Sequence, residues 1–222
     1  MVFPGVQKST WTHDKEARAW FFHRFYDFQP DLNTSNPYVQ AEILKIMGFW
    51  IQLGVSGFRM DAVPFVIATK GPKVKTPVEQ YDMLRSLREF LQWRQGNAII
   101  LAEANVLPET DMEYFGKDGD RMHMMFNFHV NQNLFYAMAS ADSRPLARAL
   151  AATKPRPASA QWGLFLRNHD ELDSAVSPKP NVTSFSKASV PTRTCSFTIG
   201  ASGDASLRCS GVIVDDSSSP TV

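Results

Sequence analysis

Three short apolar runs each give way to a carboxylate: Asp61 after "GVSGFRM", Glu103 after "NAIILA" and Asp170 after "QWGLFLRNH". Segments with helical spacing lie between them. Before the first run, "NPYVQAEILKIMGFWIQLG" offers Asn36 as an N-cap and Pro37 at the first helical position. Val39, Ile43, Ile46, Met47, Trp50 and Leu53 follow at helical spacing, which predicts an amphipathic helix ending near Gly54. A second helix is predicted through "PVEQYDMLRSLREFLQWRQ", with Tyr81, Leu84, Leu87 and Leu91 on one face and a stop before Gly96. A short helix around "PETDMEYFG", a strand in "MHMMFNFH" and helices within 130–153 continue the alternation up to the run that ends on Asp170. Helix and strand taking turns with short connections is the signature of a parallel α/β sheet.

That architecture gives the acids a meaning. In a parallel barrel the C-terminal strand ends converge on one face, so Asp61, Glu103 and Asp170 would meet around one pocket. Arg59 and Asp61 stand two residues apart, so a strand would place both on one face, where burying isolated charges is costly. Singly, each feature has a plain structural reading: a tying Arg–Asp pair, a solvated loop acid at Glu103, a satisfied core histidine at His169. Three acids closing three strands in the same direction point instead to a carboxylate cluster. Cleavage of a glycosidic bond uses such a pair, one group at the sugar carbon and one on the leaving oxygen.

Composition narrows the field. Acids and bases nearly balance, at a formal net charge of +1, and are scattered along the chain, which gives no support to a nucleic-acid or polyanion partner. The start lacks a basic segment followed by an apolar one, and no spanning apolar run occurs. The two cysteines, Cys195 and Cys209, cannot build a disulfide framework, so a cytoplasmic setting without a membrane is expected.

"GFRMDAV", "ILAEAN" and "FLRNHDEL" resemble, in order, the second, third and fourth signature regions of the α-amylase family, glycoside hydrolase family 13. "QPDLN", at 29–33, resembles an additional region of that family in the form used by its α-glucosidase and trehalose synthase branch. The longer wording of "RFYDFQPDLNTSNP" and "LAEANVLPE" is similar to maltose-acting members. The resemblance implies a retaining glycosidase or transglucosylase acting on α-linked glucosides through a covalent glucosyl-enzyme. Asp61 would be the nucleophile, Glu103 the general acid and base, and Asp170 the group that stabilises the distorted ring. Arg59 would orient Asp61, and His169 would bind sugar hydroxyls. Asp31 resembles a calcium ligand beside backbone carbonyls that follow the nucleophile strand; the chemistry itself would need no cofactor. The family's first region, a "DxxxNH" pattern that supplies a further ligand, has no counterpart in the chain. Phe22, Phe25, Tyr26 and Phe28, before "QPDLN", could line a sugar subsite or simply pack a loop. The alternatives are an α-amylase acting on starch, and an inactive fragment or non-catalytic amylase-like scaffold.

The fold implied is a partial (β/α)8 barrel over residues 1–173, its strands resembling the family's fourth to seventh. Such a piece leaves sheet edges open to self-association. Beyond Asp173 the pattern stops. The resembling enzymes commonly continue "RNHDELD" with "LGRLT", and codons exist for which the loss of one base after the Asp173 codon turns that continuation into the "SAVSP" found here. Residues 174–222, rich in Ser, Thr, Pro and Val, therefore read as a frameshifted tail, expected to be disordered or weakly packed with Cys195 and Cys209 accessible.

Overall fold

The computed structural model of the protein describes residues 7–71, 73–153 and 156–168, together with the backbone of 194–199 and 205–210. A hairpin opens it, β1 (Trp11–Asp14) pairing antiparallel with β2 (Ala19–Phe22). Then α1 (Pro37–Gln52) leads to β3 (Gly57–Met60), α2 (Val63–Ile67), α3 (Tyr81–Arg94) and β4 (Ile99–Ala102). Next come α4 (Asp111–Phe115), β5 (Met124–Phe126), α5 (Phe128–Ser140), α6 (Arg144–Ala152) and β6 (Gln161–Gly163). Strands β3, β4, β5 and β6 lie in that order in one sheet, and every neighbouring pair is parallel. This is a partial (β/α)-barrel arrangement, as the alternation predicts.

Local chemistry sets the boundaries. The Asn36 side chain accepts from the Tyr38 backbone N–H at 2.9 Å and caps α1, whose first residue is Pro37. After α1 the chain turns at Gly54, where φ is +94°, a conformation that glycine adopts without a Cβ penalty. The packed line on α1 is Ile43, Met47 and Ile51, whereas Ile46, Trp50 and Leu53, expected on the inner face, are exposed. Helix α3 starts later than its pattern suggests. The stretch before it is tied to the loop after α2 by the Thr69 N–H to Val78 carbonyl bond and an Ala68–Glu79 bridge, which commit that backbone to an extended form.

The core lies between one face of the sheet and the helices. Leu84 and Leu91 of α3 meet Ile100 and Ala102 of β4, Met125 of β5 and Phe115 of α4, all buried. Each large side chain of this kind stabilises the fold by roughly 1.5–3 kcal/mol. Arg59, Leu101, Met124 and Phe126 occupy the other face, and none of them is buried. Strand β6 is shorter than its apolar run because the buried Asn131 amide takes over beyond it, donating to the Phe165 and Leu166 carbonyls at 2.8 and 2.9 Å.

Within 174–222, Thr194–Ile199 and Ala205–Ser210 form two six-residue antiparallel strands, here β7 and β8, with Cys195 in register opposite Cys209. Together the two stretches are rich in Thr, Ser and Cys, and the β preference of Thr, Phe and Ile favours an extended backbone in the first. The remainder of that segment, and the accessibility of the two thiols, lie outside the described residues.

A histidine inside the sheet makes the fold sensitive to acid. His123, buried just before β5, accepts the Ile100 backbone N–H on Nδ1 at 3.1 Å, so it must be neutral there. Burial, with the Arg88 cation beside it, depresses its pKa to about 4. Unfolding restores an ordinary histidine near 6.5, and the unfolded chain then binds the extra proton. Stability is therefore expected to fall as pH drops from about 6.5 towards 4, by at most about 3 kcal/mol from this group. Urea midpoints measured at several pH values in that window test this. His123→Leu should melt earlier at neutral pH and lose most of the slope; an unchanged slope would point to other groups.

Candidate active site

The pairing of β3 with β4 builds the site. Met60 is in register with Ala102, and the ladder continues through Glu103 N–H to Met60 O at 2.9 Å and Val63 N–H to Glu103 O at 3.0 Å. Asp61 and Glu103 therefore leave the C-terminal ends of neighbouring strands side by side. The close strand approach depends on Gly57, since a Cβ there would sit 2.6 Å from the Ile99 carbonyl oxygen. Directly after Asp61, Ala62 adopts a left-handed backbone (φ 45°, ψ 44°) and turns the chain into α2. A non-glycine residue in that region is strained, and such strain concentrates at functional sites.

One guanidinium grips both acids. Arg59 Nη1 lies 2.7 Å from Asp61 Oδ1, and Nη2 lies 2.7 Å from Glu103 Oε2. Asp61 thus sits close enough to Glu103 to act on its titration. The environments of the acids differ sharply: the Asp61 side chain is 67% exposed and that of Glu103 only 12%. Burial raises the Glu103 pKa above the ordinary glutamate value, and the hydrogen bond and negative charge of Asp61 add to it. Arg59 and the Ala62 backbone pull the other way without cancelling the rise. The net result is a carboxyl that keeps its proton longer than usual beside an acid that faces solvent.

Of the other expected residues, His169 and Asp170 lie outside the described residues. The described chain before them is anchored at Phe165 and Leu166: Asn131 donates to both carbonyls, and the Phe165 ring packs edge-on to Phe126 and Phe128, with centroids 5.1 Å away in both cases. Asp31 is remote from the acid pair in its partners; its Oδ1 accepts the Arg24 backbone N–H at 3.1 Å. Among the described residues no three His, Cys, Asp or Glu side chains form a metal-holding group. Phe25 packs edge-on against Phe65 of α2, while Tyr26 and Phe28 stack on each other at 5.3 Å and stay exposed. Sequence reasoning missed the Ala62 strain, the anchoring by Asn131 and Lys70, whose ammonium sits in the loop after α2. None of the three carries a motif that would have flagged it.

Neighbouring parallel strands that end on an ion-bridged carboxylate pair define a segment of a (β/α)-barrel of the glycosidase kind. The sequence profile of the family described as "Alpha amylase, catalytic domain" matches residues 4–186. The chain belongs to the α-amylase family, a family of enzymes, close to its trehalose synthase and α-glucosidase branch. It is 42% identical to the trehalose synthase of Thermus thermophilus over 173 residues, covering 78% of this chain and 18% of that protein. It is 39% identical to the trehalose synthase/amylase TreS of Mycolicibacterium smegmatis over 175 residues, covering 78% of this chain and 30% of that one. The chain thus spans less than a third of the length of these relatives. Among solved structures, the α-amylase from H. orenii superposes with a TM-score of 0.58 at 20% identity, over 72% of this chain and 32% of that chain, which supports the fold. No helix among the described residues is long and apolar enough to cross a membrane.

The electrostatics can be checked directly. In a carboxyl 13C NMR titration Glu103 should titrate above the ordinary glutamate range. Arg59→Gln should move it higher still, because the opposing cation is gone, and Asp61→Asn should move it down, because the neighbouring charge is gone. A Glu103 that titrates as a normal surface glutamate would contradict this geometry.

Proposed function

We propose that this chain carries the catalytic acids of a retaining glycosidase or transglucosylase that acts on short α-linked glucosides. The observation that carries the reading is the Arg59-bridged pair, with an exposed Asp61 and a proton-retaining Glu103 at adjacent parallel strand ends. Asp61, paired with and oriented by Arg59, attacks the anomeric carbon. The bond to the leaving oxygen breaks as Glu103 delivers its proton to that oxygen. The resulting glucosyl ester on Asp61 is then opened by a water or sugar hydroxyl, whose proton returns to Glu103. Two inversions at one carbon give net retention of the α configuration. The ring must enter beside the pair that Arg59 bridges, so substrate binding sets bonds to the sugar against the grip of Arg59 on the two acids. Asp170 and His169 complete the reading as groups that bind hydroxyls of the reacting ring.

The similarity to trehalose synthases favours maltose-sized substrates over starch and makes transfer to a second sugar, rather than only to water, part of the proposal. Self-association through the open sheet edges at β3 and β6 belongs to the same reading, and the exposed apolar outer face of α1 adds to it.

Assays on maltose and a nitrophenyl α-glucoside test the assignment. Asp61→Ala should lower turnover of both by at least about a thousandfold. Glu103→Gln should cost far more on maltose than on the nitrophenyl substrate, whose leaving group needs little protonation. Activity of the unaltered chain should decline as pH rises through the Glu103 pKa, because the general acid must be protonated. Equal activity of the Asp61→Ala protein and the parent would remove the nucleophile assignment. Absence of turnover by the parent, with maltose binding retained, would favour the non-catalytic scaffold.

A further inference from the structure

The loop that follows α2 contains a ready-made cation cage. The Val66 and Ala68 carbonyls point at one spot, the buried Thr34 hydroxyl closes it from the segment before α1, and the carboxylate of Asp31 lies nearby. All of these donors are oxygens, the set a hard cation such as calcium uses. The spot is already filled. Lys70 Nζ donates to Val66 O at 3.0 Å and to Ala68 O at 3.3 Å, with Thr34 Oγ1 at 3.5 Å. Thr34 is itself committed, donating from Oγ1 to Val66 O at 2.6 Å while its own carbonyl accepts from Gln40 Nε2 at 2.7 Å. A calcium ion here would meet an ammonium among its ligands and the Arg24 cation close by, with Asp31 already accepting a backbone N–H from Arg24.

We infer that the Lys70 ammonium is the protein's own cation at this oxygen cage, and that it takes the place of a structural calcium ion. The residues present therefore do not fit the metal that Asp31 suggests from sequence. Burial lowers the Lys70 pKa below the usual lysine value and the Arg24 cation adds to the fall, while the Asp31 carboxylate opposes it without cancelling it. The inference concerns stability rather than turnover, and it stands whether or not the acid pair is catalytic.

Thermal melts of the full chain in EDTA, in millimolar calcium and in millimolar magnesium, together with calcium titration by calorimetry, provide the test. The unaltered chain should show the same melting temperature in all three and no heat of calcium binding. Lys70→Met should melt at least roughly 4 °C lower in EDTA, because the Ala68 carbonyl loses the ammonium and the Val66 carbonyl keeps only the Thr34 hydroxyl. Lys70→Glu, which exchanges the cation for a second carboxylate, should be as unstable in EDTA and should recover with calcium but much less with magnesium. If neither variant folds in EDTA, refolding in calcium decides, with recovery of Lys70→Glu alone as the expected result and recovery of neither as the overturning one. Calcium that binds or stabilises the unaltered chain, or a Lys70→Met protein that melts with the parent, also overturns the inference.

Discussion

The pairing of β3 with β4 is the constraint on which the rest of the site depends. Residues far apart in sequence become neighbours because Met60 and Ala102 are in register and the ladder runs on through Glu103 and Val63. A shift of one residue would send Glu103 to the helix-covered face, where a carboxylate could not be accommodated. Gly57 allows the close approach at one end, and the left-handed turn at Ala62 ends the strand at the other. That turn costs roughly 1–3 kcal/mol. It is offset by α2, which is short yet buries Val63 and Ile67 completely.

The two faces of the sheet divide the labour. Leu84, Leu91, Ile100 and Met125 make the helix side a dry core, and the buried His123 on that side is tolerated only as a neutral acceptor for Ile100 N–H. The opposite face carries Arg59, Asp61 and Glu103, half open to solvent. The same physical quantity, desolvation, therefore has opposite uses. On the closed side it keeps a base unprotonated, and at the strand ends it keeps an acid protonated.

Much of this could be read from the residues alone. The strand–helix alternation, the caps at Asn36 and Gly54, and the buried Leu84–Leu87–Leu91 stripe follow from periodicity and turn chemistry, because each is decided within a few residues. The neighbouring placement of Asp61 and Glu103 was legible too, since both end apolar runs that could only be parallel strands. Other features depend on partners remote in sequence. The late start of α3 reflects a bridge from Ala68 to Glu79, and the early end of β6 reflects Asn131 capturing two carbonyls. Neither competing bond leaves a local pattern. On α1 the helical period was right, but the choice between two apolar stripes was set by which one met α3, and Ile43–Met47–Ile51 met it.

Helix α2 joins the acid pair to the cation cage. It begins at Val63, one turn of chain after Asp61, and it ends at Ile67, between the two carbonyls that Lys70 holds. A helix this short cannot rely on its own hydrogen-bonded turns, because nucleation is unfavourable and few bonds follow it. Its last carbonyls need partners, and a cation placed there both accepts their dipoles and satisfies them. Thr34 adds a second donor to Val66, and the Phe25 ring and Arg24 guanidinium pack against Phe65 on the outer side. The strained residue that aims Asp61 is thus held between a strand ladder on one side and a pinned helix on the other. Loosening the Lys70 end would free α2 to relax Ala62, and with it the position of the carboxylate that Arg59 holds.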